Sequence, residues 1–197
     1  MKPQENKATT DTEESGNRTP MILLSRDEQN NQVRVVVGNS PELLEDKSNR
    51  VVAVTDEGGH PRAQGDEGIA IAGYNGTAEG GKAGLAYVKS GTATSGHNAI
   101  AVTRGHGTAQ ASDGGVAIAM RGGQAIVHVG TAIAYNARGD YRATATGALG
   151  AMLVFMFTRD ADQNTKVEFV SAKVGENGIQ PNKPYVVNKD GAVVPAW

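Results

Sequence analysis

Nine alanines recur at steps of seven or eight residues, and this repeat narrows the possible folds more than any other feature of the chain. They are Ala70, Ala78, Ala86, Ala93, Ala101, Ala109, Ala117, Ala125 and Ala132, with single-residue deletions before Ala93 and Ala132. Glycine stands two residues before eight of the nine, as in Gly68-Ile69-Ala70 and Gly76-Thr77-Ala78. Internal self-similarity at a fixed period is the signature of a stacked architecture. The residue before each alanine alternates between apolar (Ile69, Leu85, Ile100, Val116) and polar (Thr77, Thr92, Thr108, Gln124). The true unit is therefore a coil of 15 to 16 residues, made of two short strands joined by glycine turns.

Side chains alternate faces along a strand, so each alanine points one way and both its neighbours the other. Alanine inward gives a thin, regular seam, and glycine accommodates the positive dihedrals of the corners. A helix is excluded, since glycine every eight residues costs about 1 kcal/mol each relative to alanine. The expected fold class is all-β: a β-solenoid, or β-roll, flanked by an N-terminal strand pair and C-terminal β-hairpins. Stacking at ~4.8 Å per coil over five to six coils predicts a rod on the order of 25 Å long. Composition agrees, because a chain with 26 glycines and only 5% aromatic residues has little bulk for an ordinary core.

Four segments follow. Residues 1–20 are polar, lack periodicity and read as a disordered leader. Residues 21–49 form an N-terminal cap, with apolar stretches Met21 to Leu24 and Val33 to Val37 as a strand pair. Ser40-Pro41-Glu42 predicts a short helix there. Residues 50–150 are the solenoid, with Val52-Ala53-Val54 and Arg62-Ala63-Gln64 as a degenerate first coil. Arg142-Ala143-Thr144 is a candidate last rung, following an insertion at Tyr135 to Tyr141. Residues 151–197 regain bulk as two hairpins turning at Asp160 to Asn164 and Asn188 to Gly191, and form a cap or docking segment.

The two outer faces differ. One carries an apolar stripe of Ile69, Ile71, Leu85, Tyr87, Ile100, Val102, Val116, Ile118 and Ile133; the other carries Thr77, Glu79, Thr92, Thr94, Thr108 and Gln110. A continuous apolar face is not normally left in water. Either the C-terminal hairpins fold back over it or another chain covers it, and a homo-oligomer is the favoured expectation. Phe155, Phe157, Tyr185 and Trp197 are the aromatic candidates for partner contacts, or else the core of the cap.

At Asn98-Ala99-Ile100-Ala101-Val102, Gly115-Val116-Ala117-Ile118-Ala119 and Gly130-Thr131-Ala132-Ile133-Ala134 the chain resembles the head repeats of YadA-like trimeric autotransporter adhesins. That resemblance implies β-rolls of about this coil length that trimerise through an apolar face. The Gly-Thr-Ala octapeptides are also similar to ice-nucleation repeats and to bacterial and prophage proteins with Gly-Thr-Ala-rich runs.

Other chemistry finds little purchase. With no cysteine there is no disulfide, thiolate metal site or cysteine nucleophile. A net charge of -2 offers no bulk attraction to nucleic acid or anionic membrane. Lys89, Arg104, Arg121, Arg138 and Arg142 lack the interleaved aromatics that a nucleic-acid surface uses, so nucleic acid is not an expected partner. No apolar run approaches the ~20 residues of a membrane-spanning helix. The first twenty residues lack the apolar segment of a signal peptide, which favours a cytoplasmic, virion-associated or delivered protein. Gly76-Thr77-Ala78-Glu79-Gly80-Gly81-Lys82 imitates a phosphate loop, but Ala83 replaces the magnesium-binding hydroxyl and the glycines belong to the repeat. Asp66, Lys82, His97, Asp113 and His128 fall on one corner as a charge ladder, with Asp113 between the two histidines. No catalytic residue, cofactor or metal site is expected. The reading is a non-enzymatic structural or binding protein presenting a rigid surface for self-association or partner binding. The alternative is a prophage- or bacteria-encoded inhibitor or effector that blocks a host macromolecule.

Overall fold

The computed structural model describes residues 21–26, 32–38, 43–46, 50–55, 57–136, 142–161 and 164–197. The leader and residues 137–141 of the insertion lie outside them. β1 (Met21–Arg26) and β2 (Gln32–Gly38) pair antiparallel, as the apolar stretches predict, and β3 (Leu43–Asp46) follows. From there the chain alternates between two sheets. The first receives β4 (Val51–Thr55), β6 (Ile69–Ala72), β8 (Leu85–Val88), β10 (Ile100–Thr103), β12 (Gly115–Met120) and β14 (Gly130–Asn136). The second receives β5 (His60–Ala63), β7 (Gly76–Gly80), β9 (Gly91–Ser95), β11 (Gly107–Ala111), β13 (Gln124–Val127) and β15 (Thr144–Gly147). Each strand pairs parallel with its equivalent one coil on. The result is an all-β solenoid of about six turns, with coils of about 16 residues.

The registers match alanine to alanine. Ala70, Ala86, Ala101, Ala117 and Ala132 run across the first sheet. Ala78, Ala93, Ala109 and Ala125 run across the second. All nine are 0% exposed, so the two sheets meet along a seam of methyl groups. Toward the C-terminal end the core thickens. β16 (Met152–Ala161) pairs parallel with β14, which puts Leu153 and Phe155 in the register of Ala132 and Ala134. Tyr185 and Val187 join them from β18 (Tyr185–Val187), and Val174 and Ile179 complete the cluster. The Tyr185 hydroxyl accepts from Gln180 N–H (2.7 Å), which satisfies the one polar atom that this tyrosine brings into the cap.

Three expectations need correction. Among the described residues there is no helix, and Leu43 and Leu44 belong to β3, which pairs with β5; residues 39–42 lie outside the description. The coil formed by Val52 to Ala63 is not the first, because β2 and β3 stack in parallel on β4 and β5 and form one before it. The rung after the insertion registers on Ala145, opposite Ala125, rather than on Ala143. Ala143 is tied to the ladder differently: its N–H donates to the buried Asn136 Oδ1 (2.8 Å), which clamps the two ends of the insertion together.

The expected positive dihedrals fall on glycine at Gly91, Gly107 and Gly130 (φ of 119°, 148° and 157°), but at the corner entering the first sheet the glycine has another reason. The left-handed residue at the corner entering the first sheet is Glu67, Ala83, Asn98 or Gly114 in successive coils, with φ of 60°, 52°, 53° and 73°. The residue after it is Gly68, Gly84, Ala99 or Gly115, glycine in three coils of the four, because coils stack corner on corner. A Cβ on Gly84 would lie 2.0 Å from the Gly68 carbonyl oxygen. Close approach of backbone, more than dihedral freedom, therefore selects glycine at this position.

Beyond the solenoid, β16 turns into β17 (Asn164–Lys173), and β18 into β19 (Val193–Pro195), both antiparallel and at the expected places. β17 and β19 are the terminal strands of the two sheets. The hairpins thus extend the sheets rather than folding back over the apolar face.

Two substitutions test the seam and the corners. Ala117→Leu should lower the unfolding free energy by about 3 kcal/mol or more, since two facing sheets have no room for the side chain, whereas Val116→Leu on the outer face should change it by less than about 1 kcal/mol. Gly84→Ala should cost at least about 2 kcal/mol and Ala83→Gly should gain roughly 0.5–1 kcal/mol by relieving a left-handed alanine. Denaturant titration followed by circular dichroism reads all four.

Candidate interaction surface

Because the interior accepts only small side chains, the large ones of the repeat stand on the outside. On the first sheet they form columns. Ile69, Leu85, Ile100 and Val116 are successive partners in one, and Ile71, Tyr87, Val102, Ile118 and Ile133 in the next. Val52 and Val54 extend both columns at one end, and Met152 and Val154 at the other, the first column passing through Thr131 between Val116 and Met152. From Val52 to Val154 neither column contains a charged residue. The side chains are half-buried against their neighbours, and Ile100 is 42% exposed.

A third column was not anticipated. Met120, Tyr135, Met156 and Phe169 are successive partners across β12, β14, β16 and β17. Phe169 is 78% exposed and is the boldest apolar group on this face. The alternation of Val167 and Phe169 was readable as a strand face. What was not readable is that β16 rejoins the ladder across the insertion and carries β17 onto the same sheet. The face thereby spans eight strands from β4 to β17, about 34 Å at ~4.8 Å per strand. Three outward positions on β12, β14 and β16, against two on β4, β6, β8 and β10, make it ~15 Å wide at its broad end. Lys89 and Arg104, just past the ends of β8 and β10, border it, and the Lys89 ammonium sits 5.0 Å from the centre of the Tyr74 ring.

The aromatic candidates separate. Phe155, Phe157 and Tyr185 are buried in the thick end of the core and offer no surface to a partner. The inward face of β16 is where large side chains can stop the seam from opening to water. Trp197, at the far end of the chain, is 79% exposed.

The second sheet is polar outside. Thr77, Thr92 and Thr108 stack in one column, and Glu79, Thr94 and Gln110 in the next. Arg62 pairs with Glu79 at 3.1 Å and Gln64 donates to the same carboxylate at 3.3 Å. Ile126, the partner of Gln110, is the apolar exception in these columns. The phosphate-loop imitation falls here: Gly76 to Gly80 is strand β7, which turns into another strand, so no helix N-terminus is available for phosphate.

The corner ladder exists. Backbone bonds from Glu67 to Lys82, Ala83 to His97 and Asn98 to Asp113 (2.8–3.0 Å) join successive coils beside it. His128 Nδ1 contacts Asp113 Oδ1. His97, Gln110, Asp113, His128 and Asn182 line an open groove of about 570 Å³. Among the described residues no three histidine, aspartate or glutamate side chains converge as a metal site requires. Both partners of the His128–Asp113 contact are more than half exposed, so water screens it.

Among the described residues no helix is long and apolar enough to cross a membrane. No protein-family model, curated protein or solved structure matches the chain.

The exposed ladder should be dispensable for folding. Asp113→Asn and His128→Gln are each expected to change the unfolding free energy by less than about 1 kcal/mol, read from denaturant midpoints.

Proposed function

We propose that this chain is a non-enzymatic structural protein that self-associates through the apolar outer face of its first sheet. The carrying observation is the run of two charge-free columns across the ladder from Val52 to Val154. A footprint of at most ~34 by ~15 Å, roughly 500 Å², is at the small end of specific interfaces, whose standard member takes about 800 Å² from each partner. The occupant that suits it is a second copy. The face is flat, and its ridges repeat at the strand spacing, so another apolar sheet face meets it ridge into groove at ~10 Å. A copy of the same chain supplies such a face with no unpaired charge. The repeats' resemblance to adhesin heads that trimerise through an apolar face supports the same reading.

Rigidity gives the association its economy. Parallel ladders hold every outward side chain at a set position before contact, so little ordering entropy is lost on binding. A polar second sheet then remains outside as the solvated surface of the assembly.

The test is the mass in solution by light scattering after size-exclusion chromatography. The wild-type chain should run as an oligomer, and Ile100→Lys, which puts a charge in the centre of the face, should reduce that oligomer by the copies held through this contact. Thr92→Lys on the second sheet serves as the control and should leave the mass unchanged. An Ile100→Lys chain with wild-type mass would refute the proposal.

A further inference from the structure

The two sheets end differently at the thick end of the rod. The second stops at β19, which is three residues long and finishes in Pro195, a residue without the N–H that a further strand would need. The first stops at β17, ten residues long, with no proline. Lys166, Glu168 and Lys173 blunt it only in part, since a long edge without proline still presents a row of outward backbone groups to other chains. β17 also carries Val167 and Phe169 outward, 60% and 78% exposed, on the strand where the apolar face ends.

We infer that β17 is a second, separate contact: it pairs antiparallel with β17 of another copy and joins two rods end to end. The backbone sets which residues take part. Val174 N–H donates to the Ala151 carbonyl (2.9 Å), and the antiparallel alternation then turns the backbone groups of Ala172, Val170, Glu168 and Lys166 toward β16. Those of Ser171, Phe169 and Val167 face away, along the open edge.

Charge favours one register over its immediate neighbours. A two-fold axis through Val167 sets Lys166 of each copy opposite Glu168 of the other, two complementary cross-strand pairs. The neighbouring registers centre on Glu168 or on Lys166 and place like charges directly opposite, which is destabilising. In the favoured register, Asn164 to Val170 of the two copies overlap. Val167 and Phe169 of both copies then lie on one side, so two ten-stranded sheets become one and their apolar faces run on continuously. End pairing and face pairing together build a larger assembly than either alone.

Sedimentation equilibrium on the full chain separates the two contacts. In an Ile100→Lys background, which removes the face contact, the chain is expected to remain a dimer. Adding Val167→Pro should make it a monomer. Proline there removes an outward N–H, while the bonds between β16 and β17 come from the even-numbered residues and survive. Circular dichroism confirms that the fold is retained. Lys166→Glu in the same background should weaken the dimer roughly tenfold, and adding Glu168→Lys should restore it. An Ile100→Lys chain that is already monomeric, or a dimer indifferent to both Val167→Pro and Lys166→Glu, overturns the end-to-end contact and leaves the face proposal standing. Conversely, Ile100→Lys with wild-type mass alongside a loss of mass in Val167→Pro alone would sink the face contact and keep this one.

Discussion

The distance between the two sheets governs this molecule, and alanine sets it. With Ala101 and Ala117 on one side and Ala93 and Ala109 on the other, all fully buried, the sheets approach until methyl meets methyl. Stacked sheets ordinarily sit ~10 Å apart around larger side chains. A tighter spacing shortens the corners, and short corners force backbone to pass directly over backbone. The corner glycines that recur through the repeat are a consequence of that. Gly84 lies over the Gly68 carbonyl, and Gly107 over that of Gly91, with no room for a Cβ. Alanine seam and glycine corner are one constraint seen at two places.

A seam of methyl groups buries little apolar area per coil, so each coil leans on its neighbours through the backbone ladder. Stability in such rods is a sum of nearest-neighbour terms, and the ends need closing. Here the C-terminal end is closed by bulk. Leu153 and Phe155 replace alanine on the first sheet and Phe157 follows Asn136, and Tyr185 and Val187 join them from the second. The aromatic residues that composition made scarce are concentrated where a thin core would otherwise open to water.

The same geometry explains the outside. Ile, Leu, Val and Tyr cannot enter a seam built for methyl groups, so the repeat exports them. On the second sheet the corresponding positions are mostly Thr, Glu and Gln, which water satisfies, with Ile126 the exception. On the first they form the charge-free columns from Val52 to Val154, which we propose as a self-association face. The thin interior and the apolar exterior are thus linked, since whatever the core excludes becomes the material of a contact. The edge of β17 is the second contact we infer.

Spacing and alternation by themselves determined the coil, the inward alanines, the polar and apolar faces, and the two C-terminal hairpins. These are local consequences of a two-residue side-chain period and a coil of 15 to 16 residues. They also determined the columns from Ile69 to Ile133, because register follows once alanine stacks on alanine. Only the tertiary structure decided how far the ladder extends. β2 and β3 lack the glycine and alanine punctuation, and β16 is separated from β14 by the insertion, yet both ends join because open backbone edges seek partners. Leu43 and Leu44 were drawn into a strand for that reason, despite a helix signal just before them. The buried fate of Phe155 and Tyr185, and the exposed one of Phe169, turned on the same long-range pairing: which face of a late strand points inward is set by the strand it lies against, and no spacing within the strand itself can specify that.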